Sequence, residues 1–175
     1  MRIIFLGGPG SGKSTVGERL AKDFNWPWIS SGEILRESKE PWVIEKLKTA
    51  ALFDDEMVAG LVFSRLHNVE DAILDGFPRT LRQAEIMVER GEKIDIVIEM
   101  NVPLEEIEKR LFLRGREQDT KEIIDERFHD YEKKKTEIMA FLVGNGSKII
   151  TIDGMGTQDE VYQRVVNGIQ EVNPQ

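Results

Sequence analysis

The 175-residue sequence contains no cysteine and only two histidines. Without thiols, the chain can form neither a disulfide framework nor a thiolate zinc site. The two histidines, His67 and His129, stand far apart on ordinary helical patterns. Two isolated histidines do not make a metal site, so we expect no zinc.

Long apolar runs and an excess of positive charge are also missing. No apolar stretch approaches the run of about 20 residues that spans a bilayer, and no signal-peptide pattern is present. We therefore expect a cytoplasmic protein with no membrane partner. The chain has 24 lysines and arginines against 32 aspartates and glutamates, a formal net charge of −8. Because nucleic-acid binders usually present a basic face, this balance argues against nucleic acid as a partner.

Short apolar runs alternate with longer amphipathic patterns along the chain. Several of the short runs are apolar on both faces, which is typical of strands in a parallel sheet covered by helices. The strands are predicted at 2–6, 28–30, 72–75, 94–100 and 148–152. The helices are predicted near 13–23, 54–68, 79–90, 103–114, 121–143 and 157–171. This alternation predicts a single α/β domain over 1–175, with a five-stranded parallel sheet flanked by helices. Ligands of such domains bind beyond the carboxyl ends of the strands.

Two segments interrupt the regular alternation. Residues 31–58 carry two or three helical pieces between the second and third strands, and we expect Pro41 to break them. Residues 115–120 form a short polar link between two helices. Neither segment looks like a separate domain.

A glycine-rich loop follows the first predicted strand. Residues 7–14 read Gly-Gly-Pro-Gly-Ser-Gly-Lys-Ser and match the phosphate-binding pattern G-x-x-x-x-G-K-[ST] in full, between a strand and a helix as the motif requires. Its glycines let backbone N–H groups converge on a phosphate. Lys13 would bridge the β- and γ-phosphates of ATP, and the Ser14 hydroxyl would reach a Mg²⁺ ion. The loop residues predicted to bind ATP are Gly8, Pro9, Gly10, Ser11, Gly12, Lys13, Ser14 and Thr15. The loop predicts a P-loop NTPase fold.

The third predicted strand ends in a carboxylate. The apolar run 72–74 leads into Asp75, so a buried strand delivers an acid to the edge of the sheet. Asp75 would hold Mg²⁺ together with Ser14, directly or through water. On this tetrapeptide alone, an aspartate that begins a turn before Gly76 fits equally well.

The residues that follow carry a family resemblance. Residues 75–80 read Asp-Gly-Phe-Pro-Arg-Thr, with Gln83 four positions after Arg79, and they resemble the signature of the adenylate kinase family. Other segments also resemble the family and occur in its order along the chain. They are 30–36 (Ser-Ser-Gly-Glu-Ile-Leu-Arg), the helix end 109–115, and Gly156-Thr157 after the last strand. The resemblance covers the whole chain and implies a kinase that transfers a phosphoryl group from MgATP to a nucleoside monophosphate.

The resemblance implies catalysis by positive charge. The attacking phosphate is already an anion, so the reaction needs charge neutralisation and alignment rather than a general base. Arg36 and Arg79 would clamp the acceptor phosphate in bidentate fashion. Arg127 would close over the transferring group. The implied catalytic residues are Lys13, Arg79, Arg110, Arg114 and Arg127, and Arg110, Arg114 and Gly156 would join the loop in ATP binding. Helix-end stabilisation is an alternative role for Arg110 and Arg114, as is an exposed ion pair for Arg127.

The resemblance also identifies the acceptor side. Segment 31–58 would bind the monophosphate, and 115–120 would be a very short lid. The implied AMP-binding residues are Ser31, Arg36, Ala51, Leu52, Phe53, Gly76, Phe77, Arg79, Gln83, Arg116 and Arg127. In the family a glutamine at the place of Gln83 hydrogen-bonds the adenine edge, because an amide both donates and accepts.

The expected reaction is therefore MgATP + AMP ⇌ 2 ADP. Phe53 and the shortened segment around it leave UMP or CMP as alternative acceptors. A nucleotide-binding switch with little phosphotransfer is a third hypothesis, which Arg36, Arg79 and Gln83 disfavour. Nothing in the sequence resembles an extra interface, so we expect a monomer.

Overall fold

The computed structural model describes residues 1–49, 53–115 and 120–173. Its strands are β1 (Arg2–Gly7), β2 (Trp28–Ser30), β3 (Ala72–Asp75), β4 (Ile96–Asn101) and β5 (Lys148–Asp153). Its helices are α1 (Lys13–Phe24), α2 (Ser31–Glu37), α3 (Pro41–Thr49), α4 (Asp55–Leu66), α5 (Leu81–Glu89), α6 (Leu104–Arg114), α7 (Lys121–Gly144) and α8 (Gln158–Val172). Each predicted strand and helix is present, with ends that differ by one or two residues, and the predicted fold class is confirmed.

The five strands form one parallel sheet in the order β2-β3-β1-β4-β5. The central strand β1 lies between β3 and β4, so their carboxyl ends meet at one edge. Phe5 of β1 pairs with Asp75 of β3, and Gly7 pairs with Met100 of β4. This register places the Asp75 carboxylate beside the start of the glycine loop, although 61 residues separate Asp75 from Ser14 in the sequence.

Alternate residues of the central strands face two separate cores. Ile4 and Leu6 of β1 face a core shared with α4, α5 and the carboxyl-terminal half of α7. Ile3 and Phe5 face the other core, which α1 and α8 cover. Both faces are therefore apolar, as a covered parallel sheet requires. No helix in the described ranges is long and apolar enough to cross a lipid bilayer.

The helices that carry site residues begin at well-defined caps. The side chains of Ser30, Asp54 and Thr80 accept hydrogen bonds from the N–H groups three residues later, at the starts of α2, α4 and α5. Segment 31–58 holds separate helical pieces as predicted: the break between α2 and α3 lies directly before Pro41, which is the first residue of α3. Proline suits the first position of a helix, where its missing N–H costs nothing.

Candidate active site

A cavity of about 550 Å³ opens at the carboxyl end of β1. The glycine loop forms its floor, and α6 and the turn after β5 form its walls. The residues proposed for ATP that line it are Gly10, Ser11, Gly12, Lys13, Ser14, Thr15, Arg110, Arg114 and Gly156. The lining residues that were not predicted from the sequence are Val16, Glu106, Leu111, Gly154, Gln158 and Val161. Gly8 lies against Ile107 and Phe128 instead.

The glycine loop has a conformation that its sequence requires. Gly10 and Gly12 have φ angles of 75° and 91°, in the left-handed region that favours glycine. A Cβ at Gly10 would lie 2.8 Å from Cγ of Leu111, so a larger residue would push α6 away. No described side chain caps the first turn of α1, which Gly12 precedes. Its N–H groups can therefore bind an anion at the positive end of the helix.

Lys13 lies across the mouth of this loop. Its Nζ donates hydrogen bonds to the carbonyl oxygens of Gly7 and Gly8 at 2.7 and 2.8 Å, and to Oγ of Ser11 at 3.3 Å. Burial lowers the pKa of Lys13 to about 8; the charge of Asp75 opposes that shift and the charge of Arg79 adds to it. The side chain is thus a cation in a cleft that already holds positive charge.

Ser14 and Asp75 form a hydrogen-bonded pair at the edge of the sheet. Oγ of Ser14 donates to Oδ2 of Asp75 at 2.8 Å. The other carboxylate oxygen, Oδ1, is buried and has no hydrogen-bond partner among the described residues. A hydroxyl and a carboxylate with an unsatisfied buried oxygen fit the oxygen preference of Mg²⁺. Across the described ranges there is no group of three or more acidic or histidine side chains that could hold a metal ion.

Two further carboxylates, Glu18 and Glu33, lie on this side of the cleft, and neither was predicted from the sequence as a site residue. Burial raises the pKa of Glu18, and the negative charges of Glu33 and Asp75 raise it further. Glu33 and Asp75 are therefore close enough to Glu18 for their charges to act on its carboxyl group. Glu33 belongs to the matched segment 30–36, which was the signal that it could be functional; Glu18 is an exposed residue of α1 without such a signal.

On the other side of Asp75, Ser31 of α2 and Arg79 both contact the turn that follows β3. Both Oγ of Ser31 and Nε of Arg79 donate to the carbonyl oxygen of Gly76, at 2.6 and 2.8 Å. Gly76 has a φ of 69°, and a Cβ there would lie 2.7 Å from Nη2 of Arg79 and 2.8 Å from Oγ of Ser31. Only glycine fits this turn.

Two arginines from other elements lie near Arg79, which in turn lies near Lys13. Desolvation lowers the pKa of Arg79, and the positive charges of Arg127 and Arg36 lower it further, while Asp75 opposes them. Arg79 in turn lowers the pKa of Lys13. The arginines come from α2, the turn after β3, and α7, so the tertiary fold concentrates positive charge in an acidic protein.

Arg110, on the wall of the cavity, is held in place by hydrogen bonds to two neighbours. Nε of Arg110 donates to Oε1 of Glu106 at 2.8 Å, and Nη2 donates to the carbonyl oxygen of Gly154 at 3.0 Å. The ion pair with Glu106 lies within one helix, whereas the bond to Gly154 joins α6 to the turn after β5. The guanidinium of Arg110 is therefore fixed between two walls of the cavity.

The remaining acceptor-side residues differ in burial. Gln83 is 5% exposed. Phe53 is partly buried and meets Trp42 edge-on, with ring centroids 6.2 Å apart. The Phe77 side chain is fully buried against Phe63, so it can contribute only its backbone to a nucleotide site. Ala51, Leu52 and Arg116 lie outside the described residues.

With a phosphate loop on one side and an arginine-lined face on the other, the fold and site are those of a P-loop phosphotransferase. Residues 5–146 match the family model described as adenylate kinase. The chain is similar to the adenylate kinase of Maricaulis maris (strain MCS10), at 34% identity over 188 aligned residues, covering 98% of this chain and 100% of the relative. It is similar to that of Mycobacteroides abscessus at 37% over 177 residues (94% and 96%), and to that of Leptospira biflexa serovar Patoc at 34% over 185 residues (96% and 99%).

The chain therefore belongs to the adenylate kinase family, and the resemblance seen in the sequence is confirmed. It is an enzyme of the phosphotransferase class, a nucleoside monophosphate kinase that binds nucleotides.

Proposed function

We propose that this protein catalyses MgATP + AMP ⇌ 2 ADP, with ATP in the 550 Å³ cavity and AMP against Ser31, Gly76 and Arg79. The observation that carries this assignment is the concentration of positive charge between the two sides. Arg79 lowers the pKa of Lys13, and Arg127 and Arg36 lower that of Arg79. Two polyanions that must approach each other need cations held at their meeting point.

The chemistry follows from that charge. An oxygen of the AMP phosphate forms a bond to the γ-phosphorus of ATP, while the bond from that phosphorus to the β–γ bridging oxygen breaks. ATP thereby becomes one ADP, and AMP becomes the other. Arg36 and Arg79 would hold the acceptor phosphate in line, and Lys13 would neutralise the β- and γ-oxygens. Arg127 would approach the transferring group from α7. The attacking oxygen is already an anion, so no proton has to be removed.

On the ATP side, we assign Arg110, Arg114 and Gly156 to nucleotide binding. The two hydrogen bonds of Arg110 support its role as a fixed wall of the cavity. Ser14 and Asp75 would hold Mg²⁺, which when bound neutralises charge on the β- and γ-phosphate oxygens. The unsatisfied buried oxygen of Asp75 supports this assignment.

On the AMP side, we assign Gln83 to the adenine edge and Phe53 to the wall beside it. Gly76 and Phe77 would border the site through their backbone. The assignments of Ala51, Leu52 and Arg116 rest on the family resemblance alone, as do the roles of 31–58 and 115–120 as the moving segments of one domain over 1–175. We further propose a cytoplasmic monomer without membrane or nucleic-acid partners, for which the composition and the acidic charge are the support.

The test is ADP formation from MgATP with AMP, UMP, CMP, GMP and dAMP in parallel. We expect AMP to be the preferred acceptor, and Lys13→Ala and Arg79→Ala each to lower kcat by about 10²- to 10³-fold, the usual effect of removing a transition-state charge partner. Lys22→Ala and Arg65→Ala are the matched controls, because these exposed cations lie on α1 and α4.

A preference for UMP or CMP would contradict AMP as the acceptor while leaving the kinase class intact. An absence of transfer to every monophosphate, in a protein that still binds ATP, would refute the proposed reaction. Equal losses in Lys13→Ala and Lys22→Ala would reject the role given to the loop lysine.

A further inference from the structure

Two hydrogen bonds hold the side-chain amide of Gln83 in one orientation. The backbone N–H of Arg79 donates to Oε1 of Gln83 at 2.7 Å, and Nε2 of Gln83 donates to Oδ1 of Asp55 at 2.8 Å. A backbone N–H can only donate and an ionised carboxylate can only accept, so the two ends of the amide are not interchangeable. Because Gln83 is only 5% exposed, water competes weakly for these bonds.

Asp55 can reach Gln83 because its neighbour caps the helix. Asp54 is the N-cap of α4, and its side chain accepts from the N–H of Met57 at 3.1 Å. Asp55 is the first residue of α4, and its carboxylate crosses to α5 instead of capping. Beside it, Oε1 of Glu56 accepts from Nη2 of Arg82 at 2.6 Å in an exposed ion pair. Two adjacent contacts thus join α4 to α5, and the one from Asp55 ends on Gln83.

We propose that Asp55 is a positioning residue that sets which purine the acceptor site takes, by fixing the orientation of the Gln83 amide. This rests on the proposed function, in which Gln83 reads the acceptor base. With the bonds to Arg79 and Asp55 made, the amide keeps one N–H and one oxygen lone pair for a ligand. Oε1 of Gln83 lies toward Arg79 and Nε2 lies toward α4. The ligand therefore meets an acceptor on the Arg79 side and a donor on the α4 side.

The free N–H and the free oxygen lone pair of the Gln83 amide match the hydrogen-bonding edge of adenine, but not that of hypoxanthine or guanine. The exocyclic amine of adenine donates, and the adjacent ring nitrogen accepts. In hypoxanthine and guanine the exocyclic oxygen accepts and the adjacent ring N–H donates, so they require the reversed amide. Reversal would turn Nε2 toward the N–H of Arg79 and Oε1 toward the carboxylate of Asp55. A donor would then face a donor and an acceptor would face an acceptor, which is costly in a buried site.

The test compares AMP with inosine monophosphate, which differs from AMP only at these two base positions. Both are assayed at saturating MgATP for Asp55→Ala, Asp55→Asn and Glu56→Ala. In Asp55→Ala we expect kcat/KM for AMP relative to inosine monophosphate to fall about tenfold, the equivalent of one net hydrogen bond. The loss should lie in KM for AMP rather than in kcat. Asp55→Asn can donate as well as accept, so it no longer enforces one orientation of the Gln83 amide, and its ratio should fall toward that of Asp55→Ala. Glu56→Ala should leave the ratio unchanged.

Equal losses with both substrates in Asp55→Ala, or the same change in ratio in Glu56→Ala, would show that Asp55 only ties α4 to α5 and would overturn the inference. In a Gln83→Ala background, Asp55→Ala should have no further effect on the ratio, and additive effects would also reject it. Both substrates are assayed on one preparation, so the ratio does not depend on the folded fraction.

A wild-type protein inactive with every monophosphate would refute the proposed function and this inference together, whereas an active wild type with an unchanged ratio in Asp55→Ala would refute this inference alone.

Discussion

Raising the pH should weaken ATP binding through one side chain, Lys13. Burial lowers the pKa of its ammonium to about 8, and the charge of Arg79 acts in the same direction. A bound triphosphate brings negative charge to the same ammonium and favours its charged form. The protein should therefore take up a proton when MgATP binds, and its affinity should fall as the pH rises through about 8.

The size of the effect follows from the fraction of protein with a charged Lys13. With a pKa of about 8, the charged fraction is about nine-tenths at pH 7 and about one-tenth at pH 9. The apparent dissociation constant is the intrinsic constant divided by the competent fraction, so it should rise roughly tenfold over this interval. At pH 8, binding should take up about half a proton per MgATP.

Isothermal titration calorimetry measures both quantities. Titrations in two buffers with different ionisation enthalpies give the number of protons taken up, and a pH series gives the dissociation constant. Lys13→Met should bind MgATP more weakly at pH 7, and it should show neither the proton uptake nor the change of roughly tenfold in the dissociation constant. A dissociation constant for the wild type that stays flat from pH 7 to 9 would refute the reasoning. Proton uptake that persists in Lys13→Met would assign it to another group.

Two further substitutions test the packing and the metal site. A Cβ at Gly17 would lie 2.2 Å from Cζ3 of Trp28, so Gly17→Ala should lower the free energy of unfolding by about 1–3 kcal/mol, measured by urea denaturation. Asp75→Asn keeps the shape of the side chain but removes its charge beside Ser14. It should lower kcat/KM by about 10²-fold and shift the magnesium dependence of ADP formation to higher concentrations.

Each substitution has a control in the same chain. Gly60 lies inside α4, and a Cβ placed there would have no described atom within 4 Å apart from its chain neighbours and the backbone of its own helix, so Gly60→Ala should raise the free energy of unfolding by about 0.5–1 kcal/mol. If Gly17→Ala behaved in the same way, the argument from Trp28 would be wrong. Glu70→Gln removes an exposed charge near the opposite end of β3 and should not alter the magnesium dependence. An unaltered dependence in Asp75→Asn would contradict the proposed role of that carboxylate.

Most of the secondary structure was predictable because its signals are local. The apolar runs that became β1 and β4, and the helical periodicity between them, depend on residues close in sequence. The break at Pro41 was predictable, but its place at the start of α3 was not, because a proline that breaks one helix and a proline that begins the next look alike without the backbone. The start of α2 was equally hard to predict from the sequence, because Ser30 is both the last residue of β2 and the N-cap of the helix that follows.

The glycine loop was predictable from its own residues, because a phosphate cradle is a property of consecutive backbone N–H groups and of the glycines that let them turn. The sequence also indicated Asp75 and the arginines as candidates, though not which of them meet. The parallel order of the strands decided that Asp75 lies 2.8 Å from Ser14. The packing of α4 against α5 decided that Asp55 holds Gln83, and burial in the cleft decided the pKa of Lys13. These properties depend on distance and desolvation, which arise only when segments far apart in sequence come together.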